Sequence, residues 1–298
     1  MTSRNAWRRV SPKRPCPICQ KPDWCLVATD DSAGICARVE SPRRCGDAGW
    51  LHRFNDDAPR PRWRGVQMVV VSRSGPPLDL GLLSASFRKA LDGDQLQKLA
   101  RSLGLTVNSL TALGIGWSAH HRAWSFPMTD AAGNVLGIRL RRPNGFKFSV
   151  AGGRDGLFLP ASPMISNSPM ITNGRLLVCE GATDTAALLD LGFCGVVGRP
   201  NCAGGVRLLV DLVQKWQPKE VVIIADADEP GRRGADYLAS VLTAYVAALL
   251  TIRTPDGIKD VRAWLQAGAT HHDVEHRIRT APPRRLSVRS SVSNCEKR

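Results

Sequence analysis

The sequence predicts an α/β protein: a parallel sheet with helices on both faces, preceded by a mixed α+β subdomain and a small cysteine-rich N-terminal ribbon. Three observations predict it. Between residues 175 and 268, continuous apolar runs alternate with helix-like stretches, the pattern of strands sandwiched between helices. Between 123 and 150, short strand-like runs are separated by Gly and Pro signals. Five of the nine cysteines fall between Cys16 and Cys45.

Residues 1–15 read as a flexible basic arm, and a cysteine-rich module follows, so that 1–54 forms the first domain. The polar, Pro- and Arg-rich stretch 55–65 reads as a linker. Residues 66–160 form a basic α+β segment with a helical pair (96–117) and strands at 123–128, 134–142 and 146–150. The Ser-, Pro- and Asn-rich stretch 161–174 is a second linker. The third domain, 172–280, alternates strands at 175–180, 194–198, 220–226 and 247–253 with helices at 185–192, 205–216, 231–245 and 259–268. The tail, 281–298, is expected to be flexible and basic.

The chain has 298 residues, 43% hydrophobic and 22% charged, which suffices for packed cores. Its 41 Lys+Arg against 26 Asp+Glu leave a net charge of +15. That charge is uneven: +6 over 1–65, +6 over 66–160, −1 over 161–280 and +4 over 281–298. A basic surface attracts a polyanion and releases its counterions, so nucleic acid is the leading partner. No apolar run approaches the roughly 18 residues of a membrane helix, and no apolar stretch follows the N-terminal basic residues as in a secretory signal. The reading is no membrane partner and a cytoplasmic location, where an odd, clustered set of cysteines suits a metal site better than disulfides.

Cys16-Pro-Ile-Cys19 is a knuckle whose two thiolates can share one ion. Cys25 and Cys36 lie on the arms of an apparent hairpin, WCLVATDDSAGICARV, and complete four soft ligands for a structural Zn²⁺. Cys45 or His52 could displace Cys25. Trp24, Trp50 and Arg38 are open to two readings, contact with bases or support of the ribbon. Cys179, Cys194 and Cys202 read as small buried hydrophobes.

In a parallel sheet, ligands bind beyond the carboxyl ends of the strands. Glu180 closes the first strand, Asp226 the third with Asp228 two residues on, and Asp260 follows the fourth beside Lys259. Carboxylates brought together from separate strand ends repel one another, which favours a bound hard cation such as Mg²⁺ or Mn²⁺. Each aspartate could equally be a helix N-cap. In the strand 134–142, period two puts Arg139 and Arg141 on one side. Arg142, Lys147 and Arg154 could extend a basic track suited to phosphates.

The runs LLVCEGATDTAALLDLGF, VVIIADADEPGRRGA and GIKDVRAWL resemble the motifs of the TOPRIM domain, shared by bacterial-type primases, topoisomerases and some nucleases and recombination proteins. The resemblance covers about residues 172–280 and implies a TOPRIM-type sheet. It implies Glu180 as the family glutamate, Asp226 and Asp228 as its metal-binding pair, Asp184 as a frequent acidic position, and Asp260 near the metals. CPICQKPDWC…GICARVES…GWLHRF resembles the zinc ribbon of phage- and plasmid-type primases, though the second cysteine pair is not a close Cys-x-x-Cys. AWSFPMTDAAGNVLGIRLRRPNGFKFSV is similar to the N-terminal half of a primase core.

The resemblance implies a DNA-dependent RNA primase of a phage, plasmid or integrated element. Its catalytic residues would be Glu180, Asp226 and Asp228, with Arg139, Arg141, Arg142, Lys147, Arg154 and Lys259 on nucleic acid or nucleotide. Its partners would be a single-stranded DNA template and nucleoside triphosphates. No GxxxxGK[ST] loop is present, so a helicase would be a separate protein. The alternatives are a non-enzymatic recombination mediator and a TOPRIM nuclease.

Overall fold

A computed structural model describes residues 7–45, 48–54, 78–160 and 174–284. The chain divides into two compact units, Met1–Ser74 and Gly75–Arg298. The linker 55–65, nearly all of the linker 161–174, and the tail beyond Arg284 lie outside the described residues.

The first unit is a four-stranded antiparallel sheet in sequential order: β1 (Trp7–Arg9), β2 (Leu26–Ala28), β3 (Ala33–Cys36) and β4 (Trp50–Arg53). The expected hairpin is the β2–β3 pair, turned at Asp31 (φ 55°) and braced by Asp30, whose carboxylate accepts from the Ser32 N–H and hydroxyl. The flexible arm expected over 1–15 needs correction from Trp7 onward, residues 1–6 lying outside the described residues. Trp7–Arg9 pair with β2, Ser11 and Arg14 exchange backbone hydrogen bonds, and Arg8 forms an ion pair with Asp31. A three-residue edge strand has too little pattern to read from sequence, but its backbone groups find partners.

The second unit opens with α1 (Leu80–Lys89), α2 (Gly93–Leu103) and α3 (Val107–Ala112). Asp92 and Gln95 form a capping box that starts α2, and Gly104 in the left-handed region (φ 62°) ends it. Leu99, Leu103 and Leu110 are fully buried in a core shared with Trp124 and Trp264, so α2 and α3 are packing helices. An antiparallel sheet follows in sequential order: β5 (Gly116–Ser118), β6 (Ala123–Thr129), β7 (Val135–Arg141) and β8 (Lys147–Ser149).

The parallel sheet comprises β9 (Arg175–Glu180), β10 (Val196–Arg199), β11 (Glu220–Ala225) and β12 (Ala248–Arg253), in the spatial order β10-β9-β11-β12. Its helices are α4 (Gly181–Asp190), α5 (Val206–Trp216), α6 (Glu229–Leu242), α7 (Val261–Gln266) and α8 (His271–Thr280). Both faces are covered, as the uninterrupted apolar strands predict. Leu177, Val222 and Leu250 pack in one core with Ala187, Trp264 and Ile278, while Leu176, Val221 and Leu249 pack in the other with Leu212 and Leu238. The helix expected at 185–192 begins at Gly181, whose φ of 81° lets the chain turn straight from strand to helix. The helix expected at 259–268 is shorter, and α8 follows it; only Val274 and Ile278 of α8 are buried, too few to register as an apolar stripe.

Leu157 and Phe158 join the two sheets: Leu157 exchanges backbone hydrogen bonds with Thr129 of β6, and Phe158 with Gly198 of β10. No helix among the described residues is long and apolar enough to cross a membrane.

Candidate active site and thiol cluster

The strand order reverses at β9, because β10 lies on one side of it and β11 on the other. A crevice opens at the carboxyl ends where connections diverge in this way. Glu180 ends β9 and Asp226 follows β11 on the neighbouring strand. Both line one small cleft, together with Arg199 and Gly231. A Cβ on Gly231 would stand 2.8 Å from the Asp226 Cβ, so glycine leaves room for that carboxylate.

Capping separates the carboxylates. Asp228 starts α6, its Oδ1 accepting the Gly231 N–H at 2.8 Å, and Asp260 starts α7, its Oδ1 accepting the Ala263 N–H at 2.7 Å. Each spends one oxygen on a helix and keeps the other. Glu180 stands at the N-cap position of α4 without a side-chain cap bond.

Electrostatically, Asp226 is the hub. Burial, then Glu180, Asp260 and Asp228, push its carboxyl up to about 7 against the pull of Lys259. Burial also raises Glu180, which Arg199 pulls down and Asp228 pushes up. Asp184, 4% exposed, is held well above the ordinary range by burial, Asp260 and Asp226, while its Oδ1 accepts the Arg262 N–H at 2.9 Å. Hard oxygen donors raised by burial and then by mutual repulsion form a donor set that a divalent cation would neutralise. They are not drawn into a tight cluster: among the described residues, only the four thiols below have three or more ligand atoms all within 4.8 Å.

A second cleft adjoins the first, since Gly181 and Pro200 in its wall follow Glu180 and Arg199 directly. Arg139, Arg141 and Lys147 line it opposite residues 181–183 at the start of α4. Cationic side chains and a helix N-terminus both favour an anion there. Of the other expected contacts, Lys259 stands near Glu180 and Asp226, whereas Arg142 and Arg154 are exposed and do not line this cleft. Arg142 lies on the opposite face of the sheet, as period two requires.

Sequence reasoning missed Arg199 and Cys202. Arg199 is 4% exposed, pairs beside Glu180 in the β9–β10 register, and donates to the carbonyls of Cys202 (2.6 Å), Gly204 (3.1 Å) and Gly234 (3.3 Å). Cys202 stands close enough to Glu180 for that carboxylate to raise its thiol, after burial. The expectation of three buried cysteines therefore holds for Cys179 alone; Cys202 is half-buried beside the cleft and Cys194 is exposed beyond the end of α4. An arginine closing the apolar run CGVVGR is the one signal that marked this position.

In the first unit, Cys16, Cys19, Cys25 and Cys36 bring their sulfurs within 4.8 Å of one another. The Cys19–Cys25 and Cys25–Cys36 edges are 3.6 and 3.9 Å. A tetrahedron with Zn–S bonds of about 2.3 Å has edges of about 3.8 Å, so the set fits zinc. The Ala37 N–H donates to Cys25 Sγ, and the Arg38 and Val39 N–H groups donate to Cys36 Sγ, which suits thiolates. Cys45 is outside the group, and His52 Nε2 is engaged with the Val39 carbonyl at 3.0 Å. Arg38 is held by Asp23 at 2.6 Å and approaches the Cys19 and Cys25 sulfurs, a supporting position; Trp24 is 64% exposed.

The sequence matches no family profile and no curated protein. Among solved structures, the chain is similar to the Aquifex aeolicus primase comprising zinc-binding and RNA polymerase domains, at 17% identity and a TM-score of 0.55, over 69% of this chain and 60% of that one. It is similar to the E. coli primase catalytic core at 18% identity and a TM-score of 0.52, over 67% and 78% of the two chains. A DnaG primase catalytic domain bound to single-stranded DNA gives 18% identity and a TM-score of 0.53, over 68% and 77%. The likeness is one of fold, shared with bacterial primase catalytic cores.

Proposed function

We propose that this protein is a DNA-dependent RNA primase, serving a phage, plasmid or integrated element, that makes short RNA primers on single-stranded DNA. The observation that carries the reading is the adjacency of two clefts at the switch point, one acidic with Glu180 and Asp226, one basic with Arg139, Arg141 and Lys147. Asp226 and Glu180, with the uncapped oxygens of Asp228 and Asp260, would hold Mg²⁺ or Mn²⁺, which when bound neutralises charge on the transferring phosphoryl group.

Arg139, Arg141, Lys147 and the start of α4 bind the triphosphate of the incoming nucleotide. Glu180, its carboxyl raised above the ordinary range by burial, holds metal or assists deprotonation of the attacking 3′ hydroxyl. That oxygen bonds to the α-phosphorus, the bond to the β-phosphate oxygen breaks, and pyrophosphate leaves. Lys259 offsets the negative charge on the carboxylate side. Cys16, Cys19, Cys25 and Cys36 hold a structural Zn²⁺ that keeps the ribbon folded for template recognition. A separate helicase would supply unwound template.

The test is incubation with single-stranded DNA, labelled nucleoside triphosphates and Mg²⁺. Short RNA is expected from the native chain and none from Glu180→Gln or Asp226→Ala, with single-stranded DNA binding retained by both. Product from either variant overturns the assignment, and DNA cleavage without triphosphates marks a nuclease instead.

A further inference from the structure

The hairpin that carries Arg141 and Lys147 has another face. On the side opposite the basic cleft, Phe146 stacks on Phe148 with ring centroids 5.7 Å apart and planes 28° from parallel. The Arg142 guanidinium lies over the Phe148 ring at 5.2 Å, and His121 approaches that ring at 5.7 Å. Phe146 is 58% exposed, an apolar surface of this kind being costly without something to cover it.

The ring is not on a loose loop. Arg142 N–H donates to the Phe146 carbonyl and Gly145 N–H to the Arg142 carbonyl, both at 2.9 Å, while Phe146 N–H donates to Asn144 Oδ1 at 3.1 Å. Gly145 takes the left-handed conformation (φ 85°) that closes the turn. His121 is fixed in turn by Ser118 Oγ at 2.9 Å from its Nδ1.

We propose that the exposed Phe146, backed by Phe148 on the underlying core and flanked by Arg142 and His121, forms a stacking platform for unpaired bases of a single-stranded nucleic acid. Every base offers a π-face to an exposed ring, and a guanidinium beside the stack meets the phosphates that follow. The rim decides the occupant: Arg142 is exposed beside the rings, and residues 66–160 carry +6 overall, which suits a polyanion rather than an apolar protein surface. The inference rests on the primase reading and deepens it by giving the template a resting place on the same hairpin as the basic cleft, on the other face of the sheet.

The test is fluorescence anisotropy on the full chain, with a labelled thymidine homopolymer and an abasic strand of the same length. The native chain is expected to prefer the homopolymer. Phe146→Ala is expected to weaken homopolymer binding about tenfold and leave abasic binding unchanged, and Phe146→Trp to restore it. Equal native affinity for the two strands, or native homopolymer affinity in Phe146→Ala, overturns the platform. Primer synthesis measured on the same samples separates the two claims: base-dependent binding without synthesis sinks the primase reading and leaves the platform standing.

Discussion

Glu180 and Asp226 sit at nearly the same height on adjacent parallel strands. Val178 pairs with Ile223, so two further residues along, Glu180 is level with Ala225, one short of Asp226. Neighbouring strands lie about 4.8 Å apart. Two carboxylates are thus held at one rim by backbone register, before side-chain packing contributes anything.

Asp226→Asn should separate stability from activity. It removes the charge that Glu180, Asp260 and Asp228 all repel. The metal-free melting temperature should rise by about 2–4 °C per kcal/mol of repulsion relieved, while primer synthesis disappears. Calorimetry in EDTA beside a synthesis assay checks both; a lower melting temperature would contradict the hub role.

The same carboxyls set a pH dependence. Asp226 at about 7, and Glu180 and Asp184 above their ordinary values, are raised on folding. The folded chain therefore holds more protons than the unfolded one from about pH 4 upward. Their stabilisation is complete below the unfolded values and is lost as pH climbs through the raised ones, about 7 for Asp226. Melting temperatures in EDTA should fall across that window, and added Mg²⁺ should offset the fall increasingly as the groups ionise.

Removal of zinc should act on the first unit. Cys25→Ser is expected to take bound zinc from one per chain to none and to make residues 7–54 protease-sensitive, with the second unit's melting unchanged. Cys45→Ser should keep full zinc. Elemental analysis and limited proteolysis distinguish the two.

Lys147→Ala or Arg141→Ala should raise the KM for nucleoside triphosphates more than tenfold, since a hydrogen bond between charged groups contributes about 1.5–3 kcal/mol. Folding should be unaffected, and steady-state kinetics would show it. A loss confined to template affinity would move these residues from the nucleotide to the DNA.

Arg199→Met should destabilise the second unit by about 3–5 kcal/mol, because it strands three carbonyls and leaves Glu180 without its buried counter-charge. Urea unfolding measures this. An unchanged midpoint would mean water replaces the guanidinium.

What the sequence made legible follows the range of the signal. The knuckle Cys16–Cys19 and the apolar runs ending at Glu180 and Asp226 are local patterns, and each predicted its element and its rim. Arg199 was illegible because one of its carbonyl partners is 35 residues away. Asp228 and Asp260 carried both readings at once, and the structure uses one oxygen of each for the cap. Trp7–Arg9 gave no strand signal because only pairing with β2 makes it one.

The seam at Leu157 and Phe158 has a consequence for dissecting the chain. A backbone severed between Pro160 and Gly174 would leave one fragment ending in the Phe158 bridge to the other's edge strand β10, and would split a single hydrophobic interior between them. The halves should complement each other on mixing, as split reporters do, and neither alone retains both walls of the basic cleft.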